Sequence, residues 1–203
     1  MHGIGITNMY EQVFEFERTL AEFTGAPYVV VTDGCTHGVE MCMRYDKVTE
    51  TAFTPYTYIS IPMVMHQLGI KYKYHDTPDR QQWVGEYHFE GTRVWDSARL
   101  LRRGMYRPGQ MQCLSFGNGK PLNLGRVGAI LLDDKDAYEY MSMVRSDGRD
   151  LRIAPWPDQK VFPIGYHYFP TLEDCERGIK LLPTVDQTPK YVEYNDCRLI
   201  TIG

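Results

Sequence analysis

Ser115-Phe116-Gly117-Asn118-Gly119-Lys120-Pro121-Leu122-Asn123-Leu124-Gly125 is the stretch on which the fold turns. It joins two short apolar runs, 111–116 and 127–132, each of the length and composition of a buried strand. Glycines around a single lysine let the backbone bend close to a bound ligand. A lysine used in Schiff-base chemistry has to titrate low, which burial or a nearby cation supplies. By itself, a lysine in a glycine-rich loop is more often solvated.

Upstream, residues 92–95 read as a buried strand ending at Asp96. A carboxylate there could hold a pyridinium nitrogen protonated, since an adjacent anion stabilises the cation. It could equally cap a helix over 97–103. Further upstream, Asp33-Gly34-Cys35-Thr36 lies between a β-branched run at 28–32 and a helical stretch reaching about Tyr45. Backbone N–H groups at a helix start, with a threonine hydroxyl, make a phosphate cradle. The plain alternative is Asp or Thr as an N-cap with a glycine for the turn. All three features fall where a parallel α/β sheet builds its site, at strand carboxyl ends.

The remaining chain repeats this alternation. Val13, Phe16, Leu20 and Phe23 give an amphipathic helix that ends at Gly25. Strands are expected over 51–55 and 71–74, with a helix over 58–67 stopped at Gly69. Residues 134–145 and 172–182 read as helices, the first with acids in its opening turn and Arg145 in its last, as the macrodipole favours. Residues 78–91 are polar and aperiodic, and 155–163 form a proline-punctuated loop. The class expected is α/β, a mostly parallel sheet sandwiched by helices. Residues 1–182 would form one major domain and 183–203 a C-terminal tail or hairpin.

Composition narrows the function. The 203 residues carry a formal net charge of -4 with no basic tract, which argues against nucleic acid as partner. No apolar run approaches the roughly 20 residues of a membrane span, and no secretory leader is expected at the N-terminus. Five cysteines, without CxxC spacing, argue against a disulfide framework and a structural zinc site. A cytoplasmic setting is the expectation.

The order of these features, phosphate turn, strand-end aspartate and strand-loop-lysine, resembles fold-type I PLP enzymes. The segment Ser115-Phe116-x-x-x-Lys120-x-Leu122-x-x-Gly125-x-x-Gly128 is similar to the lysine segment of the DegT/StrS sugar aminotransferases. The similarity extends to residues 14–25 (the family's opening helix), Cys35-Thr36 (its phosphate turn) and 55–58 (its P-x-T-aromatic segment). It continues in 144–150 and in Gly165-Tyr166-His167-Tyr168-Phe169-Pro170-Thr171.

The resemblance implies that Lys120 carries pyridoxal 5'-phosphate (PLP) covalently and that Asp96 pairs with its ring nitrogen. Tyr58 would stack on the ring, and Cys35, Thr36 and Ser115 would hold the phosphate. Arg99 stands where the family has Gln or His near the phenolic oxygen. His167 stands where an asparagine reaches the phosphate of the partner subunit, so a homodimer with shared sites is implied. Phe169 and Pro170 replace the family's Arg and Met. The βαβ segment between Asp76 and Thr92 and most of the small C-terminal domain are missing from the pattern, and 87–89 could compensate for the lost strand. The implied reaction transfers an amino group, from glutamate, to a keto sugar that in the family is nucleotide-linked. The rival readings are a dehydratase, whose relatives replace this lysine by histidine, and a non-catalytic binding or assembly protein on the same scaffold.

Overall fold

A computed structural model describes residues 9–75, 85–153, 156–188 and 193–202. Helix α1 (Glu11–Thr24) buries Val13, Phe16, Leu20 and Phe23, the stripe its spacing demands. Strand β1 (Tyr28–Thr32) leads into α2 (Cys35–Tyr45). Then come β2 (Glu50–Phe53), α3 (Ser60–Leu68) and β3 (Lys71–Tyr74). Helices α1 and α3 both stop at left-handed glycines, Gly25 (φ 77°) and Gly69 (φ 66°), which close the last carbonyls without a Cβ penalty. The second half runs β4 (Tyr87–His88), β5 (Val94–Asp96), β6 (Met111–Ser115) and β7 (Gly128–Leu132). Two helices follow, α4 (Lys135–Val144), capped by Asp134, and α5 (Leu172–Leu181), capped by Thr171.

Strands pair in the order β1-β7-β6-β5-β4, and β2-β3 form a separate parallel pair. The α/β architecture is the expected one, but the sheet is mixed and not mostly parallel. Only β5 and β6 pair parallel within the five strands; β1–β7, β6–β7 and β4–β5 are antiparallel. The reason lies in the connections. A parallel neighbour needs a crossover, usually a helix, and no helix separates β6 from β7 or β4 from β5. Within the 87–89 stretch, Tyr87–His88 forms β4, the edge strand.

Helices cover both faces. On one, Val30, Cys113, Ile130 and Leu132 pack with Val39, Met43, Ile61 and Met141 from α2, α3 and α4. On the other, Val29, Val31, Leu114 and Leu131 pack with Phe16 and Leu20 of α1 and Cys175 of α5. The period-2 alternation of β1 thus feeds two cores. Arg145, at the end of α4, and Glu17, on α1, are both buried and ion-paired across this edge. Glu17 also accepts from Val31 N (2.9 Å), and Arg145 donates to Val31 O, which ties both helices to β1. The expected helix over 97–103 is absent; those residues form turns. The described residues of 183–203 hold no strand, only 3-10 turns such as Cys197–Leu199. Among the described residues no helix is long and apolar enough to cross a membrane.

Candidate active site

Strand pairing gives β1, β5 and β6 one direction, so Thr32, Asp96 and Ser115 end at the same edge, beside the start of β7 at Gly128. A cavity of about 800 Å³ opens there, a size that suits a small-molecule ligand or cofactor. Of the eight residues singled out from sequence, Cys35, Thr36, Tyr58, Asp96, Arg99, Ser115 and Lys120 line it. His167 does not: its side chain is 85% exposed and pairs with Asp147 at 3.2 Å.

Asp96 is 5% exposed, at the cavity floor. Its Oδ1 accepts from Ala98 N (2.9 Å), a local turn bond, so the carboxylate orders a turn and caps no helix. Its Oδ2 accepts from the Tyr87 hydroxyl (2.9 Å), which in turn contacts Thr57 Oγ1 at 2.6 Å. Burial pushes the Asp96 carboxyl up, while the Ala98 N–H, Tyr87 and the charge of Lys120 pull the other way. A buried anion with a cation across the cavity is suited to a second positive partner placed between them.

The phosphate turn is built by α2 meeting β7. The helix N-cap is Gly34, which has no side chain to cap with, and the first turn holds no acid. The helix start, where backbone N–H groups point outward, is therefore left to a ligand or solvent. Thr36 Oγ1 lies 2.8 Å from Ser60 Oγ beside it. Gly128 is what lets the strand approach: a Cβ there would sit 2.4 Å from Cys35 N. The Cys35 thiol faces Cys113 O (3.5 Å), and burial, with Asp96 nearby, pushes it well up. It stays a protonated packing group and not a nucleophile. All five cysteines are free and buried.

The lysine loop is anchored at both ends, by Phe116 N to Val127 O (2.8 Å) and Leu124 N to Phe116 O (2.7 Å). Lys120 Nζ donates to the Tyr194 hydroxyl at 3.4 Å. Arg99 Nε donates to the same oxygen at 3.1 Å, and Arg99 Nη1 to Gly119 O at 3.1 Å. Ser115 Oγ accepts from Gly117 N (3.4 Å) at the strand end. Tyr58 is 62% exposed at the rim.

Sequence reasoning missed Tyr194, which reaches the site over a long sequence separation, and gave no site role to Tyr87 or to Thr57, although Thr57 lies in the 55–58 motif and Tyr87 pairs with Asp96 across β4 and β5. It also missed the pair at the mouth formed by His37 Nδ1 and Asp33 Oδ1 (2.6 Å). That pair was readable in principle, since i and i+4 residues at a helix start share a face. Tyr168 stacks on His37 at 3.7 Å, and Arg126 reaches Asp33 at 3.2 Å.

The fold and part of the sequence have counterparts among known proteins. Residues 2–84 match the model of the DegT/DnrJ/EryC1/StrS aminotransferase family. Solved structures with the same fold include the Helicobacter pylori aminotransferase PseC, involved in pseudoaminic acid biosynthesis (TM-score 0.69, 16% identity, 85% of this chain and 58% of that one). Another is 3-amino-5-hydroxybenzoic acid synthase (0.63, 19%, 86% and 56%). A third is GDP-4-keto-6-deoxymannose-3-dehydratase, solved with a trapped PLP-glutamate geminal diamine (0.64, 13%, 86% and 61%). The chain thus spans little more than half the length of these relatives. No curated sequence matches.

Proposed function

We propose that the protein binds PLP at Lys120 and transfers an amino group, from glutamate, to a keto sugar, in the family pattern a nucleotide-linked one. The observation that carries this reading is the shared cavity: Lys120 Nζ, the buried Asp96 carboxylate and the uncapped start of α2 all face it. These residues fit the cofactor's three chemical handles. The helix start, with Thr36 and Ser115, would hold the phosphate. Asp96 would keep the ring nitrogen protonated, and its rise on burial would be offset by that new cation. Tyr58 would lie over the ring, and Arg99 would face the phenolic oxygen.

PLP, when bound, supplies an electron sink that eases removal of a proton next to an amino group. The chain's own part is then positional and protonic. Lys120 anchors the cofactor and, once displaced by the donor amine, is the base within reach of that proton. Tyr87 and Ala98 N fix both Asp96 oxygens, so the carboxylate cannot swing from the ring.

A dehydratase neighbour shares the fold, but Lys120 favours transamination, because the dehydrating relatives carry histidine there. The partner contribution also belongs to this reading. His167 follows a stretch that exposes Ile153, Trp156, Val161, Phe162 and Ile164, and a second copy covering that stretch would bring His167 to its neighbour's phosphate. The test is the donor half-reaction: PLP-loaded protein given glutamate should release stoichiometric 2-oxoglutarate with loss of the cofactor's aldehyde absorbance. No release with glutamate, while a control amino acid is equally inert, would overturn transamination and leave a cofactor-binding protein.

A further inference from the structure

Residues 193–195 line the cavity, and the segment that follows them is fastened at one place. Cys197 N donates to Pro55 O (2.9 Å) and Cys197 Sγ contacts Thr57 O (3.5 Å). Asp196 bridges to Tyr56, and Arg198 Nη2 reaches the Tyr56 hydroxyl (3.4 Å). Asp196 itself is held by Arg198 through several bonds, the shortest 2.6 Å. Cys197 is 4% exposed, so the clasp is packed and not merely laid on the surface.

The clasp delivers Tyr194. Its hydroxyl oxygen accepts from Lys120 Nζ (3.4 Å) and from Arg99 Nε (3.1 Å), while the Arg99 guanidinium lies 5.4 Å from the Tyr194 ring centre. Arg99 is also pinned to Gly119 O in the lysine loop. One phenol therefore ties the tail, the lysine and the strand-end arginine together. The same 55–57 segment that anchors the tail holds Tyr87 through Thr57 (2.6 Å), and Tyr87 holds Asp96 (2.9 Å). Both ends of the cofactor-facing set, the lysine and the aspartate, are thus referred to one loop.

We propose that Tyr194 is a positioning residue for Lys120, carried on a C-terminal strap clasped to residues 55–57, which holds the amine aimed into the cavity and shields it until a ligand displaces the contact. The proposal rests on the reading of Lys120 as the cofactor lysine. The chemistry needs this. A lysine side chain has four rotatable bonds and samples many rotamers, and nucleophilic attack requires the nitrogen within about 3–3.5 Å of its target. An acceptor at 3.4 Å narrows that search and also occupies the nitrogen, so a small reagent from solution has to break the contact before the amine can attack it. A ligand entering the cavity then meets an amine already placed, and the tyrosine can swing out on its own side-chain torsions while the clasp at Cys197 stays shut.

The test compares wild type with Tyr194→Phe, which keeps ring and strap and removes only the hydroxyl. Cofactor-free protein is treated with limiting formaldehyde and cyanoborohydride, and each lysine's methylation rate is read by peptide mass spectrometry. Lys120 should react about threefold to tenfold faster in Tyr194→Phe, the range that loss of one hydrogen bond supplies, with Lys71 and Lys135 unchanged. In the PLP-loaded protein the same variant should alter the pH profile of the cofactor absorbance, which a purely structural tyrosine would leave in place. Equal Lys120 rates in the two proteins would overturn the proposal, and so would a uniform rise at all lysines, which reports loosening of the chain. Should wild type fail to take PLP at Lys120 at all, the functional reading falls, and the methylation rates still decide the contact separately.

Discussion

The cavity floor and the segment 153–167 are built on opposite plans. At the floor, Asp96, Cys35 and Ser115 end or follow strands of one sheet, and each buried polar atom has a partner within the chain. In the described part of 153–167, Ile164 is 88% and Val161 82% exposed, and the exposed His167 side chain pairs with Asp147. One chain completes the first region; the proposed second copy would cover the other. The comparison teaches that this chain satisfies the polar groups of its buried floor by itself while leaving an apolar stretch outside it uncovered.

The sharpest break of the comparison is Asp96→Asn. If the floor works as an electron-sink support, turnover should drop by about three orders of magnitude or more, about 4 kcal/mol in the barrier, with PLP still bound. Stability should move the other way. Burial raises the Asp96 carboxyl, so in the cofactor-free protein the folded state binds this proton more tightly than the unfolded chain. Wild-type stability therefore falls as pH rises from near the ordinary carboxylate range through the raised folded value, and is level above it. Thermal melts of the two cofactor-free proteins should show the advantage of Asp96→Asn growing across that window and fading in acid. A variant that simply unfolds would return Asp96 to a structural role.

Arg145→Met tests what holds the floor's scaffold. It leaves Glu17 buried without its cation, which should cost about 3–5 kcal/mol by chemical denaturation. Gly128→Ala is milder, about 1–3 kcal/mol by the same method, because its Cβ would press on the backbone at Gly34 and Cys35. It should also weaken PLP binding, since the helix start has to shift; unchanged affinity would detach that helix from the phosphate. On the other region, Ile164→Asp should change stability by no more than about 0.5 kcal/mol and yet yield monomers by light scattering. Mixing His167→Ala with Lys120→Ala subunits should then restore activity above either parent, unless Ile164→Asp is also present. No recovery would confine each site to one chain.

Much of this was legible in the sequence, for reasons that differ by element. The α1 stripe, the left-handed stops at Gly25 and Gly69 and the Asp134 cap follow from local rules that tertiary contacts do not override. Of the seven residues meeting in the cavity, Cys35, Thr36, Asp96 and Lys120 stand at strand ends or in the glycine-rich loop, whereas Tyr58, Arg99 and Ser115 were given by the family resemblance. Alternating strands and helices predict mostly parallel pairing, but 116–127 holds no helix, so β6 and β7 pair antiparallel. Tyr194 is not legible, since it reaches Lys120 from a segment whose docking is decided by packing, and no local period records the contacts of Tyr87 with Asp96 or of Thr57 with Tyr87. The clasp at Cys197 depends on residues about 140 positions apart, and no local period records such a contact.

The most direct test of the central claim is chemical. Purified protein is saturated with PLP, reduced with borohydride, digested, and searched for pyridoxyl-bearing peptides by mass spectrometry. The account predicts one dominant label, on Lys120 within the 115–125 loop, and its disappearance in Lys120→Ala with the fold retained. A label on another lysine, or none at saturating PLP, would contradict it.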